Sequence, residues 1–256
     1  MSSTKQRFAV IVPYREREYN LAHLILHLQW YLDPDSFDMF VVEQADSLPF
    51  NRGCTMNIGF QLARAADRYS HYVFHDVDLI PLEADFSFSR RPAHLSAEVS
   101  QFLYELPYQD CFGGVVLFNR EDFETVNGYS NHYWGWGVED NDLRRRCLKA
   151  GLKAARRPGR FLSLPHFVES GRRALWARNA ERFNILQEQD FREDGVSSLK
   201  YELVRSAELT HVPFTERKKQ LARPVQWASV LLSCSDILPD EIAAANVGAQ
   251  SGAEAL

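Results

Sequence analysis

Tyr72-Val73-Phe74-His75-Asp76-Val77-Asp78-Leu79 runs from an apolar segment into two carboxylates one residue apart. The apolar part predicts a strand over Tyr72–Phe74, with a continuation to Leu79. Ligands of an open α/β sheet bind beyond the carboxyl ends of its strands, so Asp76 and Asp78 are expected to face a site. Carboxylates so spaced can hold a hard divalent cation and a ribose. Asp-X-Asp is frequent by chance, and taken alone it reads better as a solvated loop or an acidic cap.

Three more short Val-, Ile- and Phe-rich runs read as strands: Phe8–Tyr14, Met39–Val42 and Gly114–Phe118. Their near-continuous apolar character is that of strands buried on both faces of a parallel sheet. Leu21, Leu24, Ile25, Leu28 and Leu32 recur at helical spacing behind Asn20, a suitable N-cap. A second helical segment spans Met56 to about Arg68, and a third runs from about Glu139 to Ala150, stopped by Gly151. Alternating strands and helices predict an α/β fold with a single open, twisted, nucleotide-binding sheet flanked by helices. With 256 residues, the chain is long enough for one large α/β domain. That domain is expected over residues 1–241, with an Ala/Gly/Ser/Gln-rich flexible tail at 242–256.

A net charge of -5 gives no sign of a general nucleic-acid binder. Cys54, Cys111, Cys147 and Cys234 show no CxxC spacing, so they read as reduced thiols and not as zinc or disulfide partners. No stretch is long enough to cross a bilayer, which suggests a cytoplasmic protein in at most peripheral contact with a membrane. The basic run Arg144-Arg145-Arg146, Lys149, Lys153, Arg156, Arg157 and Arg160 could touch an anionic membrane face, but a solvated helix face is the preferred reading.

Two further clusters carry chemistry. In Asn131-His-Tyr-Trp-Gly-Trp-Gly-Val-Glu-Asp-Asn-Asp142, two tryptophans separated by glycines lead into carboxylates at a helix start. Acids there favour the macrodipole, so part of that charge is structural. Tryptophans flanked by glycines also suit a loop that closes over a ligand, and aromatic faces stack on sugar rings. Pro13-Tyr14-Arg15-Glu16-Arg17 follows the first strand, and Phe50-Asn51-Arg52 precedes the second helix. Arginine forks there could bind phosphate, although each taken singly is as well explained as surface charge.

Together these segments resemble the β-1,4-galactosyltransferase family, glycosyltransferase family 7. The matching motifs are Val10-Ile-Val-Pro-Tyr-Arg-Glu-Arg-Glu, Phe50-Asn-Arg-Gly-Cys-Thr-Met-Asn-Ile-Gly-Phe, Phe74-His-Asp-Val-Asp-Leu-Ile-Pro, Leu106-Pro-Tyr, Phe112-Gly-Gly, Val126-Asn-Gly-Tyr-Ser-Asn and Tyr133-Trp-Gly-Trp-Gly-Val-Glu-Asp. A weaker echo is Asp194-Gly-Val-Ser-Ser-Leu-Lys-Tyr, and the likeness spans roughly residues 8–204 in the family's order. The Trp-Gly-Trp-Gly stretch is most similar to the branch that adds galactose to xylose. The missing anchor suggests a bacterial enzyme of surface polysaccharide or a lipid-linked repeat unit.

The resemblance implies the GT-A fold, a uridine-diphosphate sugar donor, a glycan or glycolipid acceptor, manganese as cofactor, and inversion to a β-linkage, expected to be β-1,4. It makes Asp140 the catalytic base, with Glu139 beside it contacting acceptor and donor sugar. It places Pro13, Tyr14, Arg15, Arg17, Phe50, Arg52, Asp76, Val77, Cys111, Gly113, Gly114 and Trp136 on the donor. The acceptor falls to Trp136, Glu139 and Asn141, and the metal to Asp78 and His166.

This chain departs from the family in three places. The ligand neighbouring His166 falls on Ser163 or Val168, so metal is held more weakly or with help from water or Glu169. Asn141 stands where relatives carry a second aspartate, which alters acceptor recognition. Cys111 replaces a tyrosine of typical galactosyl enzymes, leaving room for a 2-acetamido group. An N-acetylgalactosaminyltransferase is therefore the first alternative, and a non-catalytic nucleotide-sugar binding subunit a distant one.

Overall fold

Residues 7–165, 171–216 and 219–233 are described by the structure, a computed structural model. β1 (Arg7–Tyr14), β2 (Phe37–Gln44) and β3 (Tyr69–His75) run parallel, with Ile11 between Phe40 and Phe74 in register. α1 (Glu18–Tyr31) and α2 (Arg52–Arg64) connect them. Burial on both faces explains the unbroken apolar sequence of β1. Val10 and Val12 pack with Leu21, Leu24, Ile25 and Leu28 of α1, while Ala9 and Ile11 pack with Met56 and Phe60 of α2.

After β3 the chain forms β4 (Leu79–Ala84), β5 (Ala93–His94), β6 (Glu98–Val99), β7 (Val115–Phe118), α3 (Arg120–Thr125), α4 (Glu139–Lys149), β8 (Ala155–Arg156), β9 (Gly159–Ser163) and α5 (Arg172–Leu186). A hairpin of β10 (Tyr201–His211) and β11 (Gln220–Leu232) follows. The main sheet has eight strands in the order β10-β11-β2-β1-β3-β7-β5-β8, and β4-β9-β6 form a smaller one.

Several sequence expectations change. The main sheet is mixed, because β7 is antiparallel to β3 and β10 to β11. The apolar run of β7 nevertheless reads like that of a parallel strand, since burial on both faces sets the pattern, not direction. The strand through His75 does not continue to Leu79. The chain turns at Asp76, whose N–H donates to Gly114 O at 3.1 Å, and Leu79 opens β4 in the second sheet. That turn holds both acids just beyond the carboxyl end of β3. α1 starts behind Arg17, and Asn20 lies buried inside it, its amide donating to Pro165 O at 3.3 Å. α2 starts at Arg52, earlier than expected, because the Asn51 side chain accepts from Cys54 N at 2.8 Å and caps it. α4 ends as predicted, with Gly151 at φ +75°.

The basic face of α4 is not uniformly solvated. Arg146 is buried; its Nε donates to Asp142 Oδ2 at 2.6 Å and its Nη2 to Asp194 Oδ2 at 2.7 Å. Arg145 also pairs with Asp142. Truncating one partner of such a group strands buried charge, so Arg146→Ala is expected to destabilise the fold by about 3–5 kcal/mol. Chemical denaturation checks this, and an unchanged midpoint would mean that Asp142 and Asp194 find water instead. The predicted tail at 242–256 lies outside the described residues.

Candidate active site

Beyond the carboxyl ends of β1 and β3, three segments converge: the start of α2, the turn after β3 and the start of α4. Arg52, the first residue of α2, sits between them. Its Nε donates to Asp76 Oδ1 at 2.6 Å and its Nη1 to Asp140 Oδ1 at 2.8 Å, with Glu139 Oε1 3.5 Å from Nη1. The Tyr129 ring lies 5.5 Å from the guanidinium carbon. The Arg52 side chain is only 12% exposed, so water screens this cluster poorly.

One cation facing three carboxylates leaves an excess of negative charge. Burial is the largest influence on Asp140 and holds its carboxyl above the usual carboxylate range; Glu139 and Asp76 add to the rise and Arg52 opposes it. Asp76 is raised for the same reason, with Arg52 pulling down and Asp78 pushing up. Arg52 Nη2, Glu139 Oε2 and the Tyr129 hydroxyl are buried without hydrogen-bond partners. Buried polar atoms are normally satisfied, and a donor, an acceptor and a hydroxyl left over in one cluster suit a ligand rich in hydroxyl groups.

A fourth segment closes the cluster. A Cβ placed on Gly113 would lie 2.5 Å from Asp140 Oδ2, so only glycine lets the backbone run this close to the carboxylate. Gly114 O accepts from Asp76 N. Tyr108 donates its hydroxyl to Asn141 Oδ1 at 3.0 Å, and the Cys111 thiol lies against it. Burial raises both the Cys111 thiol and the Tyr108 phenol above their usual ranges.

The structure therefore gathers Arg52, Asp76, Cys111, Gly113, Gly114, Glu139, Asp140 and Asn141. The remaining predicted donor positions form a neighbouring group. Arg15 Nη1 and Nη2 donate to Leu48 O at 2.5 Å and Asp46 O at 2.8 Å, and the guanidinium lies 5.7 Å from the Phe50 ring. These bonds make Arg15 a brace for the loop after β2. Tyr14 is buried against Trp227 and Phe214, Pro13 pairs with Val42 in the sheet, and Arg17 occupies the N-cap position of α1 without a side-chain cap bond. Val77 packs on the apolar core. Trp134 is buried, whereas Trp136 is 46% exposed with the Arg172 guanidinium 3.7 Å from its ring centre. Gly135 N donates to Phe50 O at 2.8 Å, joining the aromatic loop to the Phe50 segment. Asp142, with Arg145 and Arg146 against it, is occupied structurally.

His166, Val168 and Glu169 lie outside the described residues. Among the described residues no three His, Cys, Asp or Glu side chains gather as a metal set. Of the two predicted ligands they include Asp78, on the turn after β3. Leu164 N donates to Asp78 O at 2.7 Å, so the chain reaches Asp78 two residues before His166. A carboxylate joined by an imidazole is a donor set that fits manganese.

Sequence reasoning gave no role to Tyr108, Tyr129 or Asn179. The first two stand in matched motifs, yet nothing local marks Tyr129 as lying beneath Arg52. Asn179 sits on a helix that the sequence did not announce.

An α/β sheet bearing an acidic, ligand-ready cluster beyond its strand ends is the architecture of the GT-A fold. Two solved structures share it. The catalytic domain of Drosophila β-1,4-galactosyltransferase 7 in complex with xylobiose superposes with a TM-score of 0.68 at 28% identity, over 90% of this chain and 95% of that one. A mutant of the same enzyme in complex with manganese, UDP-Gal and xylobiose gives 0.70 at 28% identity and the same coverage. Residues 2–89 match the family model described as the N-terminal region of glycosyl transferase group 7, and residues 93–169 match the one described as the N-terminal domain of galactosyltransferase. The chain belongs to the β-1,4-galactosyltransferase family, glycosyltransferase family 7. Among its relatives, human β-1,4-galactosyltransferase 4 is 38% identical over 78% of this chain and 59% of its own length. Human β-1,4-galactosyltransferase 3 is 34% identical over 78% and 52%. The chain thus spans less than two thirds of the length of these curated relatives.

Proposed function

We propose that this protein transfers galactose from UDP-galactose to a carbohydrate hydroxyl with inversion, forming a β-1,4 linkage, and that it requires manganese. The observation that carries the proposal is the placing of Asp140, half-buried beside Arg52 and Gly113 with its proton affinity raised. Asp140 removes the acceptor proton as that oxygen attacks the anomeric carbon and the bond to the diphosphate breaks. A carboxylate of raised proton affinity is the stronger base. Arg52, Glu139 and Tyr129 orient the donor sugar through the polar atoms left without partners. Trp136 covers the reacting groups and limits hydrolysis. A divalent cation held by Asp78 and His166 would neutralise charge on the departing diphosphate.

The direct test supplies labelled UDP-galactose, manganese, and either xylobiose or N-acetylglucosamine as acceptor, with linkage read by NMR. A β-1,4-galactosylated product is expected. Failure of UDP-galactose to bind would refute the reading.

Cys111 supports a second donor. A thiol is smaller than a tyrosine side chain, although the Tyr108 hydroxyl nearby fills part of that room. UDP-N-acetylgalactosamine is expected to be turned over measurably, and Cys111→Tyr to shift the ratio of kcat/KM values towards galactose by roughly 10-fold, the scale of a steric contact. An unchanged ratio would assign donor choice to another residue.

No helix among the described residues is long and apolar enough to cross a membrane. We propose the cytoplasm as the compartment, supported by Cys111 and Cys147, which stand as thiols among the described residues. Cell fractionation tests it.

A further inference from the structure

Asn179 lies on α5, far along the chain from the aromatic loop, and is 2% exposed. Its Nδ2 donates to Gly137 O at 3.0 Å, to Trp134 O at 3.3 Å and to Trp136 O at 3.4 Å. Two N–H hydrogens are thus shared among three carbonyls of one short segment. The rest of α5 follows the same segment closely. A Cβ on Gly135 would meet the Leu175 methyls at 3.0 Å, and one on Gly137 would meet Trp176 Cδ1 at 2.9 Å. Arg172 stacks on Trp136. Both glycines have positive φ, as does Val138 at +80°, an uncommon backbone for a β-branched residue. A loop in this conformation persists only where its surroundings over-determine it. The next residues are Glu139 and Asp140.

We infer that Asn179 is a positioning residue that fixes the Trp134–Val138 segment, and through it sets where Trp136 stands over the substrates and where α4 begins. The part concerning substrates rests on the proposed transferase reading; the part concerning the loop does not. A buried amide is well matched to the task. It satisfies carbonyls that would otherwise be left without donors, and Asp, of the same size, reverses the interaction by offering only oxygens.

Hydrogen exchange on the substrate-free protein reads the loop without any activity. Asn179→Asp is expected to speed exchange of the amides at 135–138 on the order of tenfold or more, with the β1–β3 amides unchanged. Arg172→Gln, which removes only the ring contact, should do the same more weakly. In transfer assays Asn179→Asp should raise the acceptor KM and the ratio of donor hydrolysis to transfer, while UDP binding stays as in the wild type. Asn179→Gln, which keeps the amide, should recover part of both. Exchange at 135–138 unchanged in Asn179→Asp and in Arg172→Gln would overturn the inference. If Asn179→Asp unfolds the chain, Arg172→Gln decides by the same exchange measurement. A chain that showed no transfer at all but gave the expected exchange would keep the loop assignment and remove the transferase reading.

Discussion

Asp140→Asn is expected to lower turnover by about 10²–10⁴-fold, the usual worth of general-base catalysis, while UDP-galactose binds nearly as before. Asparagine keeps the shape of the side chain and an oxygen that can accept from Arg52 Nη1, so the cluster should survive. What it loses is basicity. Steady-state turnover together with calorimetric donor binding separates the two. Wild-type turnover in the variant would pass the role to Glu139. Asp142 is not a substitute, because it is buried against Arg145 and Arg146.

The raised carboxyl also gives a signed pH dependence. Asp140 must be ionised to act, so turnover should climb as pH rises, along a limb lying above the ordinary carboxylate range near pH 4. Stability in the absence of ligands should move the other way. The native state holds a proton on Asp140 that the unfolded chain releases at lower pH. This contribution therefore favours the fold below the unfolded pKa and fades as pH rises through the higher folded value. In Asp140→Asn both the limb and this fading should vanish.

How far the sequence showed this arrangement depended on where each residue finds its partners. β1, β2, β3 and β7 were legible because both faces are buried, which leaves apolar runs that no loop would carry. β10 was not, because most of its residues face solvent and its sequence Tyr-Glu-Leu-Val-Arg-Ser-Ala-Glu-Leu-Thr-His reads as polar. β11 did carry a signal in Leu221, Val225, Trp227 and Val230, but Pro224 within the run argues against a strand. α5 exposes Trp176 and Ile185, so it lacks the single apolar face that marks an amphipathic helix.

The candidate site divides along the same line. Asp76, Glu139 and Asp140 stand in motifs and were named from them. Their common dependence on Arg52, which comes from 24 residues before Asp76 and 88 before Asp140, is a product of the fold. Arg15 shows the converse. Its position beside a strand end suggests phosphate binding, and the fold adds bonds to the carbonyls of Asp46 and Leu48 that no local sequence shows. A local sequence names a group, but its partners decide what it does.

Excess chelator is expected to abolish transfer, and Asp78→Ala to lose both donor-dependent cation binding and turnover. The acids around the turn are unequally shared out. Asp76 faces Arg52 through a 2.6 Å bond and is held there by the fold, so it is poorly placed to take over cation binding. Asp140 and Glu139 crowd the same guanidinium. Asp78 lies on the other side of the turn, at the backbone contact with Leu164 that leads the chain towards His166. One carboxylate and one imidazole would hold a divalent cation weakly by themselves, and oxygens of the donor's diphosphate would strengthen the hold. Cation affinity should therefore rise when UDP is present, and that gain should disappear in Asp78→Ala. Manganese is expected to support turnover best, since Asp78 and His166 as the proposed ligands would offer both oxygen and nitrogen. Calcium, which prefers six to eight oxygen ligands, should support it least. Titration of manganese into the protein with and without UDP, for wild type and variant, measures the coupling directly. Full turnover in excess chelator would remove the metal from the mechanism. A UDP-dependent gain retained in Asp78→Ala would move the cation to other ligands.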